Sequence, residues 1–316
     1  MAINLMFHDV NTAYTELMHM APHYAKWEET RNGKALVFQE PVIITHTRPE
    51  HRVLFDPVRN ANPFFHYMEA LWMLSGDEGI KFPTQFAKNL GQYSDNGYSF
   101  HGAYGYRWRE AFKMDQIDAV IEMLKLDPTT RRAVIAMWNP DWDLNSESLD
   151  LPCNTHLYFR VIEGSLNMTI CNRSNDLVWG MLGANIVHMS ILQEWIAESV
   201  GLKLGSMIQF TNNLHIYEGW EDKFSYDDTR FYGVVQFHGW KFSPGNLDED
   251  ELMYFVEGDV RDYKCRILRD NAVPMLAAWN EYKHGDIDRA TFLAGNIHDY
   301  DWRKACVQWM LRKVDQ

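Results

Sequence analysis

Residues 151–180 read LPCNTHLYFRVIEGSLNMTICNRSNDLVWG, and this stretch decides the fold. Residues 155–162 (THLYFRVI) and 166–172 (LNMTICN) read as two strands facing each other, with Glu163-Gly164-Ser165 as the hairpin turn between them. Pro152 and Cys153 stand just before the first strand. Upstream, residues 132–138 (RAVIAMW) read as another strand, closed by a turn at Asn139-Pro140. Downstream, residues 185–200 form the clearest helix, with Ile186, Val187, Met189, Ile191, Leu192, Trp195 and Ile196 on broad apolar faces and Gly201 as its stop. Residues 206–211 then read as a strand leading into NNLHIY.

Further out, residues 37–55 contain the extended pieces VFQEPVIITHT and HRVLF. Residues 62–75 (NPFFHYMEALWMLS) predict a buried helix with Pro63 in its first turn and Gly76 at its end. Residues 115–126 predict an amphipathic helix carrying Ile117, Val120, Ile121 and Leu124. Strands and helices do not alternate as a doubly wound fold requires, so the class is α+β with a mixed or antiparallel sheet packed by helices. The pattern weakens after about residue 225. There, 243–251 (SPGNLDEDE) reads as a loop and 287–314 as helical and aromatic-rich. Residues 1–225 are expected to form one core and 226–316 a continuation packed on the same domain.

Composition narrows the function. A chain of 316 residues with 46% hydrophobic and 23% charged residues can bury a full core. Its formal net charge of −13, without a run of basic residues, disfavours nucleic acid as a partner. No stretch is apolar for long enough to span a bilayer, and the start of the chain lacks the pattern of a secretory signal. The four cysteines, Cys153, Cys171, Cys265 and Cys306, are scattered, which suggests neither a zinc site nor a disulfide framework. A reducing cytoplasm is the expected compartment.

Some residues have chemistry to offer. Cys153, at a loop–strand junction, is either a small buried hydrophobe or a nucleophile activated by a positive neighbour. His156 is three residues on and faces the opposite side of a strand, so a simple Cys–His dyad is awkward. Glu69 is the only acid in an apolar helix and is either on a wet stripe or placed for proton transfer. Arg131-Arg132 and Arg173-Ser174 offer donors matched to a phosphate.

The order of these pieces is more specific than any one of them. PTTRRAVIAMWNP, LPCNTHLYF, CNRSNDLVWG, N-I-V and LHIY follow one another as in the thymidylate synthase family, and the chain resembles that family over roughly residues 30–220. HYMEALWMLSG and HGAYGYRWRE resemble two further family segments upstream. The resemblance implies a thymidylate synthase-like fold, a homodimer joined through the sheet, and one-carbon transfer to C5 of a deoxypyrimidine monophosphate with 5,10-methylenetetrahydrofolate and no metal. It makes Cys153 the nucleophile that adds to C6, with Glu69, Tyr104 and Asp176 in proton transfer and folate contact. Gly180 and Trp72 would line the folate site. Arg173, Ser174 and, from a loop, Arg31 would hold the phosphate. Arg131 and Arg132 would reach the phosphate of the other subunit, and His215 and Tyr217 would bond the sugar.

Asn185 matches the residue that reads the base. Its amide can accept from N3–H and donate to O4 of uracil, which favours dUMP over dCMP. Four residues separate Gly180 from Asn185 where the family has three, so MLGA (181–184) must bulge. Three departures bear on the product. Asn154 replaces the family's histidine after the cysteine, residues 84–97 lack the family's loop tryptophans, and the C-terminal QWMLRKVDQ differs from the family's apolar tail. A closed, dry site leads to a methyl group, whereas one that admits water leads to hydroxymethyl. Phage-type nucleotide hydroxymethylases are similar in C-N-T and R-S-N-D-x-V-x-G, so dUMP hydroxymethylation is the favoured expectation, ahead of thymidylate formation and a dCMP-directed activity. A non-catalytic relative and an unrelated cysteine hydrolase are the remaining alternatives.

Overall fold

The computed structural model describes residues 2–220 and 249–314. The chain enters through β1 (Ile3–Phe7), α1 (Val10–Tyr24), the hairpin of β2 (Ala25–Thr30) with β3 (Gly33–Phe38), and β4 (Val42–His46). Helix α2 (Pro63–Ser75) follows as its sequence predicts. The Asn62 side chain accepts from the N–H of Phe65, Pro63 opens the first turn, and Gly76 closes the helix at φ 80°. Short α3 (Tyr104–Arg109), α4 (Gln116–Leu126), β5 (Val134–Ala136) and one-turn α5 (Pro140–Asp143) lead to the central hairpin, β6 (Asn154–Ile162) and β7 (Ser165–Asn172). Its loop is only Glu163-Gly164, both at positive φ (49° and 73°), which matches the twist of the strands. After β8 (Asn175–Asp176) come α6 (Asn185–Val200), β9 (Lys203–Thr211) and β10 (Leu214–Tyr217).

These strands make two mixed sheets. One has six strands in the order β1-β4-β9-β7-β6-β5; the other has four, β2-β3-β10-β8. Antiparallel β6/β7 lies beside the parallel pair β7/β9. The architecture is therefore the expected α+β arrangement of mixed sheets packed by helices.

Some expectations change in detail. HRVLF (51–55) is not a strand, because the Asn11 side chain takes up its backbone, donating to Val53 O (3.0 Å) and accepting from Phe55 N–H (2.7 Å). The strand at 132–138 contracts to Val134–Ala136 at the sheet edge. Gln116 there bonds both the N–H and the carbonyl of Ala136, standing in for a neighbouring strand. The expected loop 243–251 lies outside the described residues up to 248, and Glu249–Glu251 open helix α7 (Glu249–Glu257). The Glu251 carboxylate accepts from the N–H groups of Lys264 and Cys265, tying this helix to the chain beyond it.

Residues 287–314 form two helices, not one run. Helices α8 (Val273–His284), α9 (Ile287–Ala294) and α10 (Tyr300–Val314) complete the described chain. They pack their aromatic residues on α2, with Trp279 and Trp309 against Phe64 (ring centroids 5.6 and 5.8 Å) and Trp302 against Tyr67 (5.2 Å). One continuous buried core runs from Val10 to Met310. The boundary expected at 225 falls outside the described residues. None of the described helices is long and apolar enough to cross a membrane.

Candidate active site

Cys153 occupies the irregular turn that feeds β6, and its side chain is half-buried. Two elements shape that turn. The Tyr104 hydroxyl, at the start of α3, accepts from the N–H groups of Cys153 (3.0 Å) and Asn154 (3.2 Å). Arg173, just past β7, donates to the carbonyls of Pro152 (2.9 Å) and Leu151 (3.1 Å), and its backbone N–H donates to Cys153 O. The guanidinium Nη2 lies 4.0 Å from the Cys153 Sγ.

Two opposing forces act on the thiol. Burial disfavours the thiolate and dominates, so the thiol titrates above its ordinary range, while Arg173 and Arg31 pull it down against the carboxylates of Asp150 and Asp176. The expected thiolate-favouring role of Arg173 is present but outweighed by burial. Burial and the nearby sulfur also push the Tyr104 phenol far up, so it rests neutral.

The π-turn Leu177–Ala184 resolves the extra residue before Asn185. The Asn185 N–H donates to Gly180 O, five residues back, and Gly183 takes φ −99°, ψ −105°, a wide turn of the kind that can accommodate one extra residue. The Asn185 side chain, nearly buried, donates to Asn175 Oδ1 at 3.1 Å. Gly180 is required beside it, because a Cβ there would overlap Asn175 Oδ1. Asp176 caps the turn by accepting from the N–H of Trp179 (2.6 Å), and burial raises its carboxyl. Its second oxygen, Oδ2, is buried and has no hydrogen-bond partner among the described residues.

Arg31, in the turn between β2 and β3, reaches Ser148 O at 3.4 Å. Its neighbour Asn32 donates to the Tyr217 hydroxyl at 3.3 Å, which joins that turn to β10. His215 and Tyr217 sit on one face of β10 with their rings 5.0 Å apart. Ser174 lies half-buried between Arg173 and β8. Cys153, Arg173, Tyr104, Asp176 and Arg31 are therefore linked by direct contact or by charge. Glu69, on α2, instead faces α6, with its Oε2 2.9 Å from His188 Nε2.

Arg131 and Arg132 are exposed ahead of the edge strand β5. Trp72 is buried, donates its indole N–H to Asp77 (3.1 Å), and packs edge-on against Phe100. Among the described residues, no cluster of three His, Cys, Asp or Glu could hold a metal.

Sequence reasoning passed over three residues near this site. Asn175 holds the amide of Asn185. His188 was legible as the only imidazole on the apolar helix 185–200. Arg59 donates to Val178 O (2.9 Å) and stacks under the half-exposed indole of Trp179, 4.0 Å from the ring centre.

Comparison with known proteins gives the family. The family model described as thymidylate synthase matches residues 13–230. A deoxyuridylate hydroxymethyltransferase of Pseudomonas phage M6 is 36% identical, over 96% of this chain and 93% of that protein. A protein of the same name from Bacillus phage SP01 is 38% identical over 69% of this chain, which spans only 57% of that longer relative. A thymidylate synthase of Buchnera aphidicola is 33% identical over 48% of the chain and 58% of its own length. The chain belongs to the thymidylate synthase family.

Proposed function

We propose that the protein transfers a one-carbon unit to C5 of dUMP and completes the reaction with water, giving 5-hydroxymethyl-dUMP. The half-buried Cys153 thiol, 4.0 Å from the Arg173 guanidinium and framed by Tyr104, is the observation that carries this reading. The net reaction is dUMP plus methylenetetrahydrofolate plus water giving hydroxymethyl-dUMP plus tetrahydrofolate, with no change of oxidation level.

In this reading Cys153 gives up its proton, and Sγ bonds to C6 of the pyrimidine, which makes C5 a carbon nucleophile. Arg173 keeps donors for the nucleotide phosphate beyond those that shape the turn, helped by Ser174 and Arg31. His215 and Tyr217 are placed for the sugar, and Asn185 for the N3–O4 edge of uracil. Tyr104, a neutral phenol, relays the C5 proton and does not act as its base. Glu69 organises water at the base. When bound, 5,10-methylenetetrahydrofolate supplies the carbon at the level of formaldehyde. Asp176 Oδ2, buried and without a partner among the described residues, fits a donor-bearing heterocycle, and Trp179 and Gly180 follow in the same turn. Water then adds to the new exocyclic carbon, and Cys153 leaves C6.

The shared name of the phage relatives and the departure at 84–97 favour water over hydride in the last step. Exposed Arg131 and Arg132 suit the phosphate site of a second subunit in a homodimer, and the phage relatives imply the cytoplasm of a host cell. Mass spectrometry of the product from dUMP and methylenetetrahydrofolate tests the reading. It predicts hydroxymethyl-dUMP with tetrahydrofolate. Thymidylate with dihydrofolate as the only products defeats it.

A further inference from the structure

Glu69 and His188 meet where α2 packs on α6. The Nε2 of His188 lies 2.9 Å from the Glu69 Oε2, with the imidazole 1% and the carboxylate 12% exposed. The approach is too bent for a formed hydrogen bond, and neither ring nitrogen of His188 has any other partner among the described residues. A buried imidazole without partners is costly, and a leucine would fill the same place without that penalty. Its neighbours Val187, Met189 and Ile191 are apolar and buried. The ring is thus accounted for by what it faces.

Two more residues share this wall. Asn185 lies three residues before His188 on the same face of α6, with its amide held by Asn175. His66 lies three residues before Glu69 on α2 and is also buried. Burial, with Arg59 and His188 as positive neighbours, holds His66 well below the ordinary histidine range, so it stays neutral.

We propose that His188 is a positioning residue for Glu69, its imidazole edge abutting one carboxylate oxygen so that the other is presented to the water and the pyrimidine. This rests on the reading of Glu69 as the residue that organises water and proton transfer. Imidazole and carboxylate then act as one unit, and effects of residues that act as a unit are not additive.

The test is a double-mutant cycle in the full chain, read by tritium release from 5-tritiated dUMP and by hydroxymethyl product formation. His188→Phe is expected to lower kcat about 10- to 100-fold with little change in the KM for dUMP. His188→Gln, which keeps a donor and fits more easily, is expected to recover part of that loss. In a Glu69→Gln background, His188→Phe is expected to cost nothing further. A full additional loss in that background overturns the proposal, as does a change confined to KM or to thermal stability. Wild-type protein that releases no tritium overturns the underlying reading instead, so the two failures are distinguishable.

Discussion

The Cys153 sulfur is poised between a burial that favours the thiol and a guanidinium that favours the thiolate, and burial prevails. Because only the thiolate alkylates readily, labelling of Cys153 by iodoacetamide should rise with pH through a midpoint above the about 8.5 of a free cysteine. Arg173→Ala should move that midpoint higher still. Peptide mass spectrometry separates Cys153 from the half-buried Cys171 and from buried Cys265 and Cys306. A midpoint below that of a free thiol, or one unmoved in the variant, contradicts this balance. At the same scale, Asn154 turns away from the site. It is fully buried and bonded to Asn172, so the position after the nucleophile serves the β6/β7 ladder.

Two elements set the geometry of the site, and each turns on a glycine. Helices α2 and α3 touch at Gly105, where a Cβ would overlap the Met73 carbonyl. Gly105→Ala should therefore push α3, and Tyr104 with it, off α2 and destabilise the protein by about 3 kcal/mol. A denaturant midpoint equal to that of the wild type would refute this packing. The π-turn before α6 is the second case, where Gly183 absorbs the extra residue. The sequence showed that a residue was surplus, because the spacing from Gly180 to Asn185 is countable. It could not show whether a loop or a wider turn would take it up, since that choice depends on Arg59 and Val178 packing around Gly183. Periodicity likewise disclosed α2, α4 and α6, whose caps and apolar faces are local. It failed at HRVLF, where a side chain from α1 replaces a strand partner, and at β5, shortened where Gln116 closes the edge. Both outcomes depend on residues far away in sequence.

For the whole molecule, the part beyond residue 248 was hardest to read, and the structure shows why. Helices α8 and α10 bury aromatic residues against α2, so their pattern makes sense only beside Phe64 and Tyr67. They brace from outside the helix that carries Glu69. The net charge of −13 coexists with Arg31 and Arg173 beside the thiol, so a small anion can be drawn to one spot on an acidic surface. Of the candidate residues, those that touch Cys153 locally were visible as motifs. Arg131 and Arg132 are exposed ahead of β5. The pairing of Glu69 with His188 depends on how two helices cross.

The most direct measurement is the mass of the Cys153-bearing peptide after incubation with 5-fluoro-dUMP and methylenetetrahydrofolate, because fluorine at C5 cannot leave as a proton and the adduct should accumulate. A covalent nucleotide on Cys153, absent in Cys153→Ala, is the predicted result. An unmodified Cys153 peptide, or a nucleotide attached to Cys171 instead, would contradict the account.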